Sequence, residues 1–206
     1  MNTMQSPSPL PLPSASRRLS HIRSIQCHGY ERVDGLWDIE GRLADVKADN
    51  WPERAGGADL PAGYSAHEMW IRLTIDLDMV IREASAATTA GPFDGCGQIT
   101  SKFAALVGQK IDRGWLKGPA RELLGNKAGC THQWELLGRV AAAAYQSTNR
   151  ARAARNVAVP MSSPPRVLNT CHMYAASSEV VRKRWPAFYQ PVSSDASSGN
   201  VPDDRS

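Results

Sequence analysis

Imidazole and thiolate are the side chains best suited to hold a zinc or iron ion. Four of them, His67, Cys96, Cys130 and His132, fall where predicted elements begin. Cys130 and His132 make the sharpest local feature, in Gly129-Cys130-Thr131-His132 at the opening of a predicted helix. Residues one apart cannot share a face inside a helix, but across an N-cap the first is extended and both side chains can converge. One Cys-x-His pair is shorter than a zinc signature, which joins two paired elements, so the case needs the other two residues. Cys96 lies in Pro92-Phe93-Asp94-Gly95-Cys96-Gly97, a glycine-flanked turn ahead of a helix whose positive end favours thiolate. His67 lies in Ser65-Ala66-His67-Glu68-Met69, where a loop is expected to become a strand. Glu68 and Asp94 stand beside these ligands and are the candidate acid–base groups.

These residues admit several chemistries. With all four bound, a zinc or iron ion is saturated and the domain is a metal-binding, scaffold-like or accessory protein. With three bound, the fourth position takes water, and the chain is a small metal-dependent enzyme on an unknown small substrate. Without metal, Cys96 or Cys130 with His132 as base makes a thiol enzyme. A plain interaction domain needs none of them. Cys27-His28 and Cys171-His172 are poorer ligand pairs, because neighbours on a strand point to opposite faces.

The elements that would position these residues follow from periodicity. Trp37, Ile39, Gly41 and Leu43 alternate with Asp38, Glu40 and Arg42, the period of a half-buried strand. An earlier strand is expected over Ile22 to Tyr30, with a turn at Asp34-Gly35. Ile71, Leu73 and Ile75 interleave with Arg72, Thr74 and Asp76 and lead through Leu77-Asp78-Met79 into Val80-Ile81, a hairpin. Ile99, Phe103, Leu106 and Val107 then fall at helical spacing, and Gly118-Pro119 opens a short helix to Gly125. Trp134, Leu137, Ala141 and Tyr145 line a longer helix from Cys130-Thr131, and a last one is expected from Ser177 or Ser178 to Arg184. Strands first and helices after argue α+β: an antiparallel sheet with helices packed on one face. The ligand-bearing junctions then cluster at one end of the sheet.

The chain of 206 residues, 42% hydrophobic, is long enough for one core with softer ends. Prolines 7, 9, 11 and 13 make residues 1–17 an expected disordered leader, and the Ser, Asp and Gly of 191–206 an expected disordered tail. The main domain is expected over 18–158, with a linker and C-terminal segment over 159–190 packing on it. No apolar run reaches the roughly 18 residues that span a bilayer, and no apolar signal core opens the chain, so the expected location is cytoplasmic without membrane contact. A net charge of +4, with basic clusters that carry no interleaved aromatics, argues against nucleic acid. A protein partner or a homodimer remains open.

Taken together, Gly29-Tyr30, Asp34-Gly35-Leu36-Trp37-Asp38-Ile39-Glu40, His67-Glu68-Met69-Trp70, Pro92, Cys96, Gly129-Cys130-Thr131-His132, Glu135-Leu136-Leu137 and Trp185-Pro186 resemble an uncharacterised bacterial family known as a domain of unknown function. The order of turn, hairpin, glycine-flanked Cys96, helix and Cys130/His132 pair also resembles the NifU-type iron–sulfur scaffold, a NifU/SufE-like fold. That likeness implies ligands at one end of the sheet: His67 near the first cysteine of the scaffold, Cys96 near its second, and Cys130 with His132 near its last pair. Imidazole in place of thiolate suits one zinc or iron ion better than a cluster.

Overall fold

The computed structural model describes residues 8–52, 59–155, 163–165 and 167–192. Residues 1–7 of the expected leader, most of the expected linker and the tail from 193 lie outside the described residues. The chain divides into two units, Met1–Arg155 and Asn156–Ser206.

In the first unit, four strands form one sheet: β1 (His21–Glu31), β2 (Trp37–Lys47), β3 (Ser65–Ile75) and β4 (Ile81–Ala90). They lie in chain order, each antiparallel to the next. Gly35 turns β1 into β2 at φ 83°, a left-handed value that a Cβ disfavours. Between β3 and β4, Asp76 Oδ1 accepts the N–H groups of Asp78 and Val80, each at 2.9 Å. Such a side chain standing in for backbone acceptors is an Asx-type turn.

The period of two sorts the faces. Ile39, Leu43, Met69, Ile71, Leu73 and Ile75 are buried on one, while Arg42, Glu68 and Trp70 share the other, where Arg42 stacks 5.4 Å from the Trp70 ring centre. The inner face is covered by α2 (Thr131–Arg155) and by the 3-10 segment Asp94–Leu106, on which α1 (Pro119–Leu124) packs. Leu136, Leu137, Val140, Ala141 and Ala144 make the buried stripe of α2. This is the α+β architecture read from the sequence, with an antiparallel sheet and covering helices.

α2 sits close because β2 offers it a glycine. A Cβ on Gly41 would stand 2.4 Å from Val140 Cγ2 and 2.9 Å from Leu136 Cδ1. Gly41→Val is therefore expected to push α2 off the sheet and cost about 2–3 kcal/mol, read as a lower urea midpoint with an unchanged slope; equal midpoints would show that the contact yields freely.

Two expectations change locally. The Ile99 segment is a 3-10 helix over Asp94–Leu106. Its buried Phe103 and Leu106 are three apart, as a three-residue turn requires, and Val107 is exposed instead of completing an α-helical stripe. His67 lies inside β3, not ahead of it, because pairing with β2 runs on through Asp45.

In the second unit, α3 (Glu179–Arg184) starts where the sequence places it: the Ser178 hydroxyl accepts the Val181 N–H at 3.2 Å. The Tyr174 and Trp185 rings stand 5.6 Å apart. Among the described residues no helix is long and apolar enough to cross a membrane.

Candidate metal centre

The inner face of the sheet turns polar at one end. Arg23 pairs with Asp45 across β1 and β2, and Asp45 with His67 across β2 and β3, so three polar side chains lie in a row where the strands would otherwise continue the core. The first turn of α2 lays His132 over this row. Asp45 is 2% exposed and is the hub. Arg23 donates from Nε to Oδ1 at 2.8 Å and from Nη2 to Oδ2 at 2.7 Å, and His21 Nε2 stands 3.0 Å from Oδ1. Two further imidazole nitrogens converge on Oδ2: His67 Nδ1 at 3.2 Å and His132 Nε2 at 3.7 Å. The His67 and His132 rings stack with centres 3.8 Å apart and planes at 28°. Arg23 Nη1 also donates to Glu135 Oε2 at 2.7 Å, tying the row to α2 one turn on.

The electrostatics keep Asp45 and His132 in ligand form. Burial by itself would raise the Asp45 carboxyl, but the hydrogen bonds and charge of Arg23, with His21 behind them, hold it down at about 2. Burial, helped by the Arg23 charge, pushes His132 below the usual imidazole range, against the pull of Asp45 and Glu135. A carboxylate that is ionised and an imidazole that is neutral both present lone pairs at neutral pH.

Among the described residues, Asp45, His67 and His132 form the group whose ligand atoms all lie within 4.8 Å of one another. Of the residues singled out from the sequence, His67 and His132 thus come together. Cys130 directly precedes α2, and its Sγ stands 3.9 Å from His132 Nδ1, the nitrogen turned away from Asp45. Cys96 sits in the first turn of the 3-10 segment over Gly91, where an added Cβ would come within 2.8 Å of the Cys96 Cβ. Gly91 follows the last β3–β4 pair, Glu68–Ala90, so Cys96 belongs to the same end of the sheet but not to the group.

Glu68 faces the other way. As the strand neighbour of His67 it points to the open face, where Arg42 Nε donates to it at 2.8 Å. Asp94 is exposed at the start of the 3-10 segment. Cys27 packs against the core, and burial raises its thiol against the opposing Arg139 charge; Cys171 is exposed in the second unit. Sequence reasoning missed Asp45, Arg23, His21 and Glu135. The signal for Asp45 was present, since it continues the parity of Ile39, Gly41 and Leu43 and puts a carboxylate on the apolar face. A cavity of about 340 Å³ beside Trp70 and Arg72 lies on the open side of the sheet, away from the cluster.

No curated protein and no solved structure matches the chain. A family model does, over residues 21–146, a span that begins at His21 and includes Arg23, Asp45, His67, Cys96, Cys130, His132 and Glu135. By that match the chain belongs to the family described as Protein of unknown function (DUF2889).

Proposed function

We propose that the first unit holds one divalent ion, zinc or iron, on Asp45, His67 and His132, with a coordination position left for water or a substrate oxygen, and that its function is metal-dependent chemistry on a small molecule. The observation that carries the reading is the spacing of the ligand atoms. Around a tetrahedral zinc with bonds of about 2.0–2.1 Å, ligand atoms stand about 3.4 Å apart; the two imidazole nitrogens lie 3.2 and 3.7 Å from Asp45 Oδ2. A carboxylate has about four lone-pair sites, so Arg23 and His21 leave room for a bond to an ion. Arg23 and His21 orient the carboxylate, as groups behind metal ligands do.

The three-ligand set favours the open centre over the saturated one. Cys130 contacts the far nitrogen of His132, and in this reading it orients that ring. Glu135, fixed by Arg23 beside the cluster, replaces Glu68 as the proton acceptor. The NifU-like scaffold enters this reading only as an order of elements: two imidazoles and a carboxylate suit a single ion, not cluster assembly.

Loading the ion has a structural signature. Two imidazoles on one tetrahedral ion have centres about 5 Å apart, so the rings now 3.8 Å apart must separate. The purified chain, stripped and titrated with zinc, is expected to bind one ion and to shift the ring proton resonances of both His67 and His132 as stacking is lost. Substoichiometric zinc with unmoved histidine resonances would end the reading.

A second reading, a thiol enzyme, is favoured by one observation. His132 lies between Cys130 Sγ at 3.9 Å and Asp45 Oδ2 at 3.7 Å, the order of nucleophile, base and orienting carboxylate. Alkylation of Cys130 that is indifferent to zinc and slows in His132→Ala would move the assignment there.

A further inference from the structure

The first turn of α2 carries a second polar residue beside His132. Gln133 is 1% exposed. Its Nε2 donates to Thr88 Oγ1 at 3.0 Å, but its Oε1 is buried without a hydrogen-bond partner among the described residues. Thr88 offers one hydroxyl, so exchanging the two ends of the amide would still leave one of them unpaired. Buried polar atoms are almost always satisfied, and one that is not calls for a water, an ion or a ligand.

The surroundings of Gln133 indicate which. Thr88 is on the inner face of β4, opposite Met69 and one inner-face position from His67. Thr88 lies close to Gly91 and Cys96: a Cβ on Gly91 would lie 3.6 Å from Thr88 Cγ2 and 3.2 Å from Cys96 Sγ. On the helix side, the N–H groups of Thr131, His132 and Gln133 precede the first α2 hydrogen bond, from Trp134 N–H to Cys130 O at 2.8 Å. No acidic side chain occupies that turn. A ligand reaching this turn therefore meets an acceptor without a donor and helix N–H groups without acceptors among the described residues, one residue from the candidate ligand His132.

We infer that Gln133 reads the substrate of this centre, and that the substrate class is an acyl compound with an N–H next to its carbonyl, an amide or hydroxamate. The inference rests on the metal reading above. The carbonyl oxygen takes the open position on the ion or the helix N–H groups, and the adjacent N–H donates to Gln133 Oε1. An ester or a carboxylate of the same shape leaves that oxygen unpaired, which is how a buried polar group discriminates between near-isosteres.

The test uses the full chain loaded with zinc and two probes, acetohydroxamic acid and N-methylacetohydroxamic acid, which share their chelating oxygens and differ in the N–H. Calorimetry is expected to show the N–H compound binding about tenfold more tightly, the size of one net hydrogen bond. Gln133→Met, similar in volume and without the acceptor, is expected to keep its zinc and lose the preference. Zinc bound with equal affinity for both probes overturns the inference and leaves the metal centre standing, as does a preference that survives in Gln133→Met. Failure to bind zinc at all overturns the reading beneath it and the inference with it. N-methylation also adds bulk, so it is the loss of the preference in Gln133→Met that assigns it to the acceptor; zinc retained by the variant shows that it is folded, and Gln133→Leu takes its place where zinc is not retained.

Discussion

Replacing Asp45 with alanine is expected to abolish zinc binding and to lower the stability of the metal-free protein by about 2–3 kcal/mol. The carboxylate is the hub of two strands and a helix, and its loss strands Arg23. Removing one member of a buried ion pair costs about 3–5 kcal/mol; Arg23 is 36% exposed at its side chain, so water recovers part of that. The acid limb of the stability curve separates this charge effect from simple loss of packing. Asp45 titrates at about 2 in the folded protein and near the ordinary carboxylate value of about 3.9 when unfolded. Its contribution, about 2 kcal/mol, is therefore complete above about pH 4 and lost as the pH falls from there towards 2. Urea midpoints between pH 5 and 2 should fall more steeply in the wild type than in Asp45→Ala. Parallel curves, or an alanine variant of wild-type stability, would show that Asp45 is not the electrostatic hub.

That hub also marks where the sequence stops being legible. The strands were readable because Ile39, Leu43, Ile71, Leu73 and Ile75 are apolar at every second place, and α2 because its stripe and its start at Cys130-Thr131 agree. At the end of the sheet the period of two continues while the polarity inverts: His21, Arg23, Asp45 and His67 hold inner-face parity but are not apolar. A pattern that looks for apolar residues ends the strand at that point. It therefore placed His67 at the junction where a loop becomes the strand and left Asp45 out, although Asp45 has the parity of Leu43. Register was the missing information. Only the pairing of Arg23 with Asp45 shows that a guanidinium and a carboxylate on different strands neutralise one another, and the pairing of Asp45 with His67 that an imidazole lies beside them.

The 3-10 segment failed for a different reason. Ile99 and Phe103, four apart, suit 3.6 residues per turn, whereas Phe103 and Leu106, three apart, suit either helix, and the choice was made by tertiary packing. Gly95 and Gly97 disfavour the regular helix at its start, where the Cys96 side chain lies tight over Gly91. Cys96 thereby lies at the predicted end of the sheet but out of the ligand group, because the row of inner-face positions ends at β4 and Cys96 stands beyond it. Glu68 was misplaced by adjacency: on a strand the next residue is the farthest in direction, and Arg42 holds it on the opposite face.

The comparison that decides which residues touch the ion is His67→Ala against Cys130→Ser. In the three-ligand centre, His67 supplies one of three bonds, and its loss is expected to weaken zinc binding at least 100-fold, beyond what loss of a group behind a ligand does. Cys130 packs against the core and its thiol reaches the far nitrogen of His132 at 3.9 Å, not the ligand group, so serine in its place should weaken zinc about tenfold at most. Metal-free stability provides the control. His67 stacks on His132 and contacts Asp45 but carries no obligatory charge, so its alanine variant should lose less stability than Asp45→Ala while losing as much metal. Competition titration with a zinc-sensitive chelating dye measures both affinities in one format. If Cys130→Ser loses zinc as severely as His67→Ala, the thiol is a ligand, the centre is saturated by protein groups, and the structural role displaces the chemical one. If His67→Ala binds zinc as the wild type does, the ion sits elsewhere, and Cys130, His132 and Asp45 are left as the thiol-enzyme arrangement that their order already suggests.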